Sequence, residues 1–349
     1  MNENPKFAVI GGGSWATAIA KMLCVNLPEI AWYMRNESAI DHIKAYKHNP
    51  NYLSSVYFDT KLLSLSTDVK QVVANSDCIL VAVPSAYIPD TLEPLDKNAF
   101  QDKKVISAVK GILPPNNQLL NDYLKNKFQL SLQDYFTVMG PCHAEEVAAE
   151  KLSYLTFSGV DETMAAKIAA NFSTPYLNTV VNNDVYGVQF AAVLKNIYAL
   201  GAGIAHGLEY GDNFLSVLIA NSADEMASFL RKVGAKHIEV GVHDTEDPIT
   251  HKKNSNYAAS VYLGDLLVTC YSLYSRNRTF GNMVGKGYSV KAAQLEMNMV
   301  AEGYNASRCI YLINKEFKAD MPIAETVYKI LWENVKPSDG VNHIEQFLV

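Results

Sequence analysis

A glycine-rich turn near the start of the chain has the spacing of a dinucleotide-binding loop. Gly11 and Gly13 follow a short apolar run, and Ala16 completes a GxGxxA pattern where a helical stretch begins. In such a loop the first glycine permits a tight turn, the second lets the backbone approach a pyrophosphate, and the small third residue lets the helix pack on the sheet. The N–H groups of the first helical turn, which includes Ser14 and Trp15, then bind the phosphates. The alternative is a plain turn, but the position directly after a predicted strand favours dinucleotide binding.

The residues after the second predicted strand bear on the choice of cofactor. An acidic side chain at this point binds the ribose 2′-OH of NAD, whereas this chain has Met34, Arg35 and Asn36. The guanidinium of Arg35 can bind the 2′-phosphate of NADP, or it can stack on adenine, which would suit NAD and NADP equally. We predict that NAD(P) is the cofactor and that NADPH is tolerated or preferred.

Alternating strand and helix patterns predict the element that carries this loop. The predicted strands are 7–10, 30–33, 78–83, 105–109, 136–139, 155–158 and 179–181. The predicted helices between them are 15–24, 39–46, 69–74, 117–127 and 165–172. This alternation is typical of an α/β fold, and we predict a Rossmann-type, doubly wound parallel sheet with helices on both faces over residues 1–183.

The second half of the chain has almost no strand pattern. Asp184 is predicted to cap a long helix, and further helices are predicted at 214–233, 257–274, 301–317 and 323–332, with Pro337 just beyond the last of them. We therefore predict an all-helical substrate domain over residues 184–349. The polar stretch 243–256 is predicted to be a surface loop.

Composition narrows the class of protein. A net charge of −6 with scattered lysines argues against nucleic-acid binding. The start of the chain does not resemble a signal peptide, and we expect no apolar run near the roughly 20 residues of a membrane span, so we expect a cytoplasmic protein. Five widely spaced cysteines with no CxxC pair are predicted to be reduced thiols, and neither they nor the histidines have the spacing of a metal site.

Seven motifs, in order along nearly the whole chain, resemble the NAD(P)-dependent glycerol-3-phosphate dehydrogenase family of the bacterial type. They are AVPSAYIPDTL from Ala82, AVKGI from Ala108, MGPCHAEEVA from Met139, AAVLKNIYALGAGIAHGLEYGDN from Ala191, GDLLVTCYSLYSRNRTFG from Gly264, GKG from Gly285 and AEGYNA from Ala301. The resemblance implies interconversion of sn-glycerol 3-phosphate and dihydroxyacetone phosphate, which supplies glycerol phosphate for phospholipid synthesis. It also leads us to expect a homodimer.

The resemblance assigns roles to residues within these motifs. The implied catalytic residues are Lys195, Lys110 and Asp265. The implied substrate-binding residues are Lys110, Gly140, Pro141, Lys195, Asn196, Asp265, Thr269, Arg276 and Asn277. The implied cofactor contacts, besides the glycine-rich loop and Arg35, are Pro84, Lys110, Arg276, Lys286 and Glu302.

The chemistry of these side chains agrees with the implied roles. Reduction of a ketone builds negative charge on its oxygen, so a cation or proton donor must lie beside it. Two lysines in one desolvated site lower each other's basicity, and Asp265 limits that effect and orients the amine. Asp265 and Thr269 are four residues apart and share a helical face. The forked guanidinium of Arg276 and the amide of Asn277 suit a phosphate.

Each role also has a simpler structural alternative. Lys195 can be a solvated helix lysine, Asp265 a helix cap and Arg276 a surface charge, although the apolar neighbours of Lys195 make a free cation costly there. The chain also departs from the family: Asn221 and Ser222 stand where an Arg-Gly pair is usual. The rival functions are a two-domain dehydrogenase of the 6-phosphogluconate or β-hydroxyacid type and a nucleotide-sensing protein without turnover.

Overall fold

The chain divides into two compact units. The first contains residues 1–109 and 118–185, and the second contains residues 110–117 and 186–349. The structure is a computed structural model, and it describes residues 5–114, 116–235, 258–297 and 301–349. The segment 110–117 follows a strand of the first unit in sequence but packs with the second, which the sequence did not predict.

The first unit is built on an eight-stranded sheet, which confirms the predicted α/β fold. Its strands are β1 (Phe7–Ile10), β2 (Ile30–Tyr33), β3 (Leu63–Ser66), β4 (Cys78–Val81), β5 (Lys104–Ser107), β6 (Tyr135–Met139), β7 (Ser153–Gly159) and β8 (Leu177–Asn182). Their order across the sheet is β3-β2-β1-β4-β5-β6-β7-β8. The chain therefore winds to one side of β1 and then to the other, which makes β1 and β4 the switch point where such sheets bind ligands.

Helices connect these strands. They are α1 (Ser14–Asn26), α2 (Glu37–Tyr46), α3 (Val69–Ala74), α4 (Ile88–Leu92), α5 (Leu120–Phe128), α6 (Ala144–Ala148) and α7 (Glu162–Ala170). Every residue of β1 and of β4 is buried, as expected for central strands of a parallel sheet. Apolar side chains of α1, β2 and β6, among them Ile19, Trp32 and Phe136, contribute to one core.

Two features of the sheet differ from the sequence prediction. β6 and β7 pair antiparallel, with Phe136 opposite Gly159, so the sheet is only mostly parallel. The helix between them, α6, has five residues and spans roughly 7 Å, too short to return the chain along a strand for a parallel crossover. The edge strand β3 was not predicted, because its four residues LSLS are only partly buried and too few to show a clear alternation.

The second unit consists of helices in the part that the structure describes. They are α8 (Val185–Gly207), α9 (Asp212–Lys232), a π-helical segment (Ala258–Gly264), α10 (Asp265–Tyr271), α11 (Arg276–Gly285), α12 (Val290–Glu296), α13 (Glu302–Phe317), α14 (Pro322–Trp332) and α15 (Pro337–Glu345). The helices α11, α12 and α15 were not predicted, and Pro337 begins a helix instead of following the last one. Proline suits that first position because its missing N–H would have no helical partner there. The predicted loop 243–256 lies outside the described residues.

The long helix α8 is an apolar and largely buried helix of the second unit. It has 23 residues, and an 18-residue stretch of it has a mean hydropathy of 1.3, which by length and composition alone is enough for a membrane span. The whole of that apolar stretch is nevertheless buried within the protein, as in the core helix of a globular domain. Its apolar surface is thus covered by protein.

A buried carboxylate joins three of these helices. Glu225 of α9 accepts hydrogen bonds from the N–H groups of Ile323 (2.8 Å) and Ala324 (2.9 Å) at the start of α14. The hydroxyl of Tyr198 on α8 donates to the same carboxylate at 3.2 Å. Burial raises the pKa of Glu225 to about 7, although these three hydrogen bonds oppose the rise.

Candidate active site

The glycine-rich loop leaves β1 at the switch point of the sheet. Gly11 has φ +132°, and its N–H donates to the carbonyl oxygen of Tyr33 at 3.1 Å. A Cβ atom on Gly11 would lie 2.4 Å from the carbonyl oxygen of Ala82, at the end of β4. Both the backbone angle and this close approach therefore require glycine.

The start of α1 fits a phosphate group. Gly13 is the N-cap of this 13-residue helix, and no side chain caps it and no acidic residue lies in its first turn. A Cβ atom added to Gly13 would meet nothing within 4 Å, so the backbone is open to a ligand there. Ser14 and Trp15 form the first turn, where N–H groups have no intrahelical acceptor and the helix dipole favours an anion. The residues present therefore fit the pyrophosphate of a dinucleotide.

The other predicted ligand residues of the first unit lie along the same edge of the sheet. Arg35 follows β2 and is exposed, and Pro84 follows β4. Gly140 and Pro141 follow β6, whose carboxyl end lies at this edge because β5 and β6 are parallel. Gly140 has φ +128°, so it too requires glycine. The predicted cofactor and substrate-loop residues of this unit thus share the ligand-binding edge.

Two lysines and one aspartate meet in the second unit. The ammonium of Lys195, on α8, donates a hydrogen bond to Oδ1 of Asp265, the first residue of α10. Nζ of Lys110 lies 3.8 Å from Oδ2 of the same carboxylate. The side chains of Lys195 and Asp265 are 5% and 1% exposed, whereas that of Lys110 is 20% exposed. Lys195 is therefore not a solvated lysine, and the carboxylate of Asp265 bonds to Lys195 instead of capping its own helix.

The surroundings change the acidity of Lys195. Burial lowers its pKa to about 7; Asp265 opposes this change and the second cation, Lys110, adds to it. At neutral pH this amine can therefore both hold and release a proton. Oδ2 of Asp265 accepts no hydrogen bond from the described residues, so only the long contact with Lys110 satisfies it.

A chain of carboxamides holds Lys110 beside this cluster. The amide of Asn196 donates to the carbonyl oxygen of Lys110 at 2.9 Å and to that of Ala192 at 3.1 Å. Its oxygen accepts a hydrogen bond from Asn277 at 2.9 Å, and Oδ1 of Asn277 accepts one from the N–H of Gly303 at 2.9 Å. Both asparagines therefore hold the segment after β5, α8, α11 and α13 in one arrangement.

The remaining predicted residues of the second unit lie on α10, α11 and α13 or at their ends. Thr269 is buried on α10 and donates its hydroxyl to the carbonyl oxygen of Asp265 at 2.5 Å, so its proton is directed to its own helix. Arg276 is the partly buried first residue of α11, next to Asn277. Glu302 precedes Gly303 at the start of α13. Lys286 lies at the other end of α11, roughly 15 Å from Arg276 at helical rise.

Four glycines bring α8 and α11 into backbone contact. Cβ atoms on Gly203 and Gly207 of α8 would lie 2.2 and 2.4 Å from carbonyl oxygens of α11. Those on Gly281 and Gly285 of α11 would lie 2.2 and 2.3 Å from carbonyl oxygens of α8. This contact positions the start of α11, with Asn277, against Asn196. This contact was not predicted from the sequence, although both pairs of glycines show the GxxxG spacing of closely packed helices.

The described residues give no indication of a metal centre. No group of three or more His, Cys, Asp or Glu side chains among them is placed to hold a metal ion. The five cysteines are thiols, and four of them are buried.

Comparison with known proteins agrees with this geometry. Residues 6–165 match the family described as NAD-dependent glycerol-3-phosphate dehydrogenase N-terminus, and residues 184–342 match its C-terminus. A relative from Thermoanaerobacter sp., named glycerol-3-phosphate dehydrogenase [NAD(P)+], is 32% identical over 340 residues, 96% of this chain and 95% of the relative. A protein of the same name from Bacillus pumilus is 32% identical over 97% of this chain and 93% of the relative.

A solved structure has the same fold. The crystal structure of glycerol-3-phosphate dehydrogenase from Coxiella burnetii superposes with a TM-score of 0.85 over 98% of each chain, at 24% identity. The matching families cover both halves of the chain, which confirms the resemblance seen in the seven motifs. The chain belongs to the NAD-dependent glycerol-3-phosphate dehydrogenase family.

Proposed function

We propose that this chain interconverts sn-glycerol 3-phosphate and dihydroxyacetone phosphate with NAD(P)(H). The observation that carries the proposal is the buried cluster in which Lys195 bonds to Asp265 beside Lys110. The names of the relatives, glycerol-3-phosphate dehydrogenase [NAD(P)+], support the same substrate pair. We place the activity in the cytoplasm, where it supplies glycerol phosphate for phospholipid synthesis.

Lys195 is proposed to move the proton of the reaction. The bound dinucleotide supplies the hydride in the reductive direction and accepts it in the oxidative direction. In reduction, the ammonium of Lys195 gives its proton to the C2 carbonyl oxygen of dihydroxyacetone phosphate and is left as a neutral amine. In oxidation, the amine takes the proton of the C2 hydroxyl. A pKa of about 7 lets the same group serve both directions.

The neighbouring residues are proposed to bind and orient the substrate. Lys110 adds positive charge beside the carbonyl oxygen, where negative charge develops during reduction. Asp265 holds Lys195 in place through the hydrogen bond to Oδ1. Arg276 binds the substrate phosphate, because a guanidinium matches the geometry of its oxygens. Asn196 and Asn277 use most of their hydrogen-bonding groups within the protein, so we assign them mainly to positioning Lys110.

Replacing Lys195 tests the proton-transfer role. Lys195→Met keeps an unbranched chain but removes the amine, and it should lower kcat for dihydroxyacetone phosphate reduction by about 10²- to 10⁴-fold. NADH and NADPH binding, followed by nicotinamide fluorescence, should be unchanged, because the glycine-rich loop belongs to the first unit. Lys104→Met is the matched control, since it also removes the lysine of a Lys–Asp pair, here with Asp134. Near-normal turnover in folded Lys195→Met would refute the role.

The same assay separates the rival functions. A dehydrogenase of the 6-phosphogluconate or β-hydroxyacid type would turn over its own substrates faster than dihydroxyacetone phosphate. A nucleotide-sensing protein would bind NADH or NADPH with no turnover of any of these substrates. Either outcome in the wild-type protein would overturn the proposed reaction.

We further propose that NADPH is used at least as well as NADH. The exposed guanidinium of Arg35 follows β2, where Met34, Arg35 and Asn36 stand in place of the acidic side chain that binds the ribose 2′-OH of NAD. Arg35→Asp should shift the ratio of kcat/KM towards NADH, and the shift should weaken at high salt. Lys97→Asp is the control, because it makes the same change of charge at an exposed position in the connection between α4 and β5, which contains none of the predicted cofactor contacts. Equal loss with both cofactors would instead indicate that Arg35 stacks on adenine.

A further inference from the structure

A fully buried asparagine lies behind the glycine-rich loop. Asn49, in the connection between α2 and β3, is 0% exposed. Its Nδ2 donates to the carbonyl oxygen of Gly12 at 3.1 Å and to Oγ1 of Thr17 at 2.9 Å. Its Oδ1 accepts a hydrogen bond from the N–H of Asn51 at 3.0 Å. Both amide hydrogens of Asn49 are thus directed at the loop and the helix that follows it.

Each of the three glycine carbonyls in the loop has a donor from the protein. Nε1 of the buried Trp32 donates to the carbonyl oxygen of Gly11 at 2.6 Å. Asn49 binds that of Gly12, and both the N–H and the hydroxyl of Thr17 bind that of Gly13, at 3.0 and 2.9 Å. All of these donors belong to the protein, so the fold itself orients the carbonyl groups of the loop.

The orientation of these carbonyls determines where the N–H groups point. In a planar trans peptide the C=O and the following N–H point in opposite directions. Donors that hold the carbonyls of Gly12 and Gly13 towards the protein therefore direct the N–H groups of Gly13 and Ser14 the other way. A carbonyl turned outward would instead place a partial negative charge against a phosphate.

The hydrogen-bond directions require a donor at position 49. The hydroxyl proton of Thr17 is used on the carbonyl oxygen of Gly13, so Oγ1 can only accept from Asn49. The carbonyl oxygen of Gly12 is also an acceptor. An aspartate at position 49 would face two acceptors with its own oxygens, and a leucine would leave both without a donor.

We infer that Asn49 is a positioning residue for cofactor binding, which holds the glycine-rich loop so that its N–H groups bind the pyrophosphate. The inference depends on the use of a nicotinamide dinucleotide and not on the identity of the substrate. Because Asn49 acts on the loop and not on the adenine or nicotinamide, its effect is confined to ligands that carry the pyrophosphate.

Ligand fragments test this directly. Asn49→Leu and Asn49→Asp should weaken binding of NADH, NADPH and ADP by about tenfold to hundredfold, the cost of a buried acceptor left without its donor. Binding of adenosine, which has no phosphate, should change by less than twofold. The dissociation constants are measured by calorimetry or by fluorescence competition. In turnover, KM for the cofactor should rise while kcat at saturation stays within a factor of about two.

Control variants separate positioning from general destabilisation. Asn121→Leu replaces another buried asparagine of the first unit, on α5, and should leave ADP affinity unchanged even if it lowers the melting temperature. Thr17→Val removes the acceptor of Asn49 and should weaken ADP binding, whereas Thr17→Ser keeps the hydroxyl and should restore it. The Thr17 pair also tests the inference if the Asn49 variants do not fold.

The outcomes are distinguishable. Equal losses for ADP and adenosine, or unchanged ADP binding in folded Asn49 and Thr17→Val variants, would overturn the positioning role. A wild-type protein that binds neither NADH nor NADPH would instead overturn the use of a dinucleotide itself, which the proposed function also requires.

Discussion

Replacing Asp265 by asparagine tests the electrostatics of the cluster. Asp265 carries the negative charge that opposes the effect of burial and of Lys110 on Lys195. Asp265→Asn keeps nearly the same shape and removes that charge. We expect the pKa of Lys195 to fall further, because an ammonium without a counter-charge is costly at a buried position.

The magnitude follows from the contact distances. Both lysine amines lie within 4.0 Å of Asp265 oxygens. At an effective dielectric constant near 20, two unit charges at about 4 Å interact by about 4 kcal/mol. One pKa unit corresponds to about 1.4 kcal/mol, so loss of the carboxylate should lower the pKa of Lys195 by roughly three units, from about 7 to roughly 4.

The assay is kcat against pH in both directions. Reduction needs the ammonium, so in the wild-type protein it should fall roughly tenfold per pH unit above about 7. At pH 7 the kcat of Asp265→Asn for reduction should be roughly 500-fold lower than that of the wild type, because so little of the amine is protonated. This kcat should still increase as the pH is lowered to 5.5. Oxidation needs the neutral amine, so its kcat in the wild type should fall below pH 7. In the variant this fall should be absent, because the amine stays neutral there.

The Lys104–Asp134 pair of the first unit provides the control. Asp134→Asn removes the carboxylate of the Lys104–Asp134 pair in the first unit and should leave both pH profiles unchanged. In Asp265→Asn, the pH above which kcat for reduction falls should move below 7. A value that stays near 7 or moves to higher pH would refute the role assigned to Lys195.

Three further predictions concern substrate binding, packing and pH. Arg276→Ala should weaken the use of dihydroxyacetone phosphate by about 2–5 kcal/mol in kcat/KM but affect unphosphorylated dihydroxyacetone much less, and equal losses would exclude phosphate recognition. Gly281→Ala places a Cβ 2.2 Å from the carbonyl oxygen of Leu200 and should lower the free energy of unfolding by about 1–3 kcal/mol, whereas Gly211→Ala, with nothing within 4 Å, should lose less in the same thermal melts, because it affects only the N-cap of α9. Glu225 is protonated in the folded protein up to about pH 7, whereas its ordinary value is 4.5, so stability should fall by roughly 3 kcal/mol as the pH rises through that window. Glu225→Gln should lack this loss. Melting temperatures of variant and wild type that change equally between pH 5 and 8 would contradict the prediction.

The sequence by itself determined the features that depend on local pattern and on motif order. The apolar runs of β1 and β2 predicted those strands with their observed bounds, because central parallel strands are short and continuously apolar. The GxGxxA spacing predicted the turn into α1, where a Cβ atom on Gly11 would lie 2.4 Å from the carbonyl oxygen of Ala82. The order of seven motifs indicated the family. The positions of Lys110, Lys195 and Asp265 within those motifs predicted that they are the catalytic residues.

Only the tertiary structure decided how those residues act. Lys195 and Asp265 are 70 positions apart in sequence, and Asn196 and Lys110 are 86 apart. Whether these side chains come into contact depends on the packing of α8, α10 and the segment 110–117. Sequence periodicity does not predict that packing. The lowered pKa of Lys195 depends on burial and on the distances between charges. The spacing of residues along the sequence gives neither.

The same limit applies to the sheet and to the cofactor loop. The antiparallel pairing of β6 and β7 is a long-range choice that the apolar pattern of either strand does not record. Asn49 and Trp32 look like ordinary residues of a loop and a strand, and their role is visible only because folding aims their N–H groups at the glycine carbonyls. Local pattern specifies which elements form, whereas the direction of a buried hydrogen bond is set only when distant segments pack together.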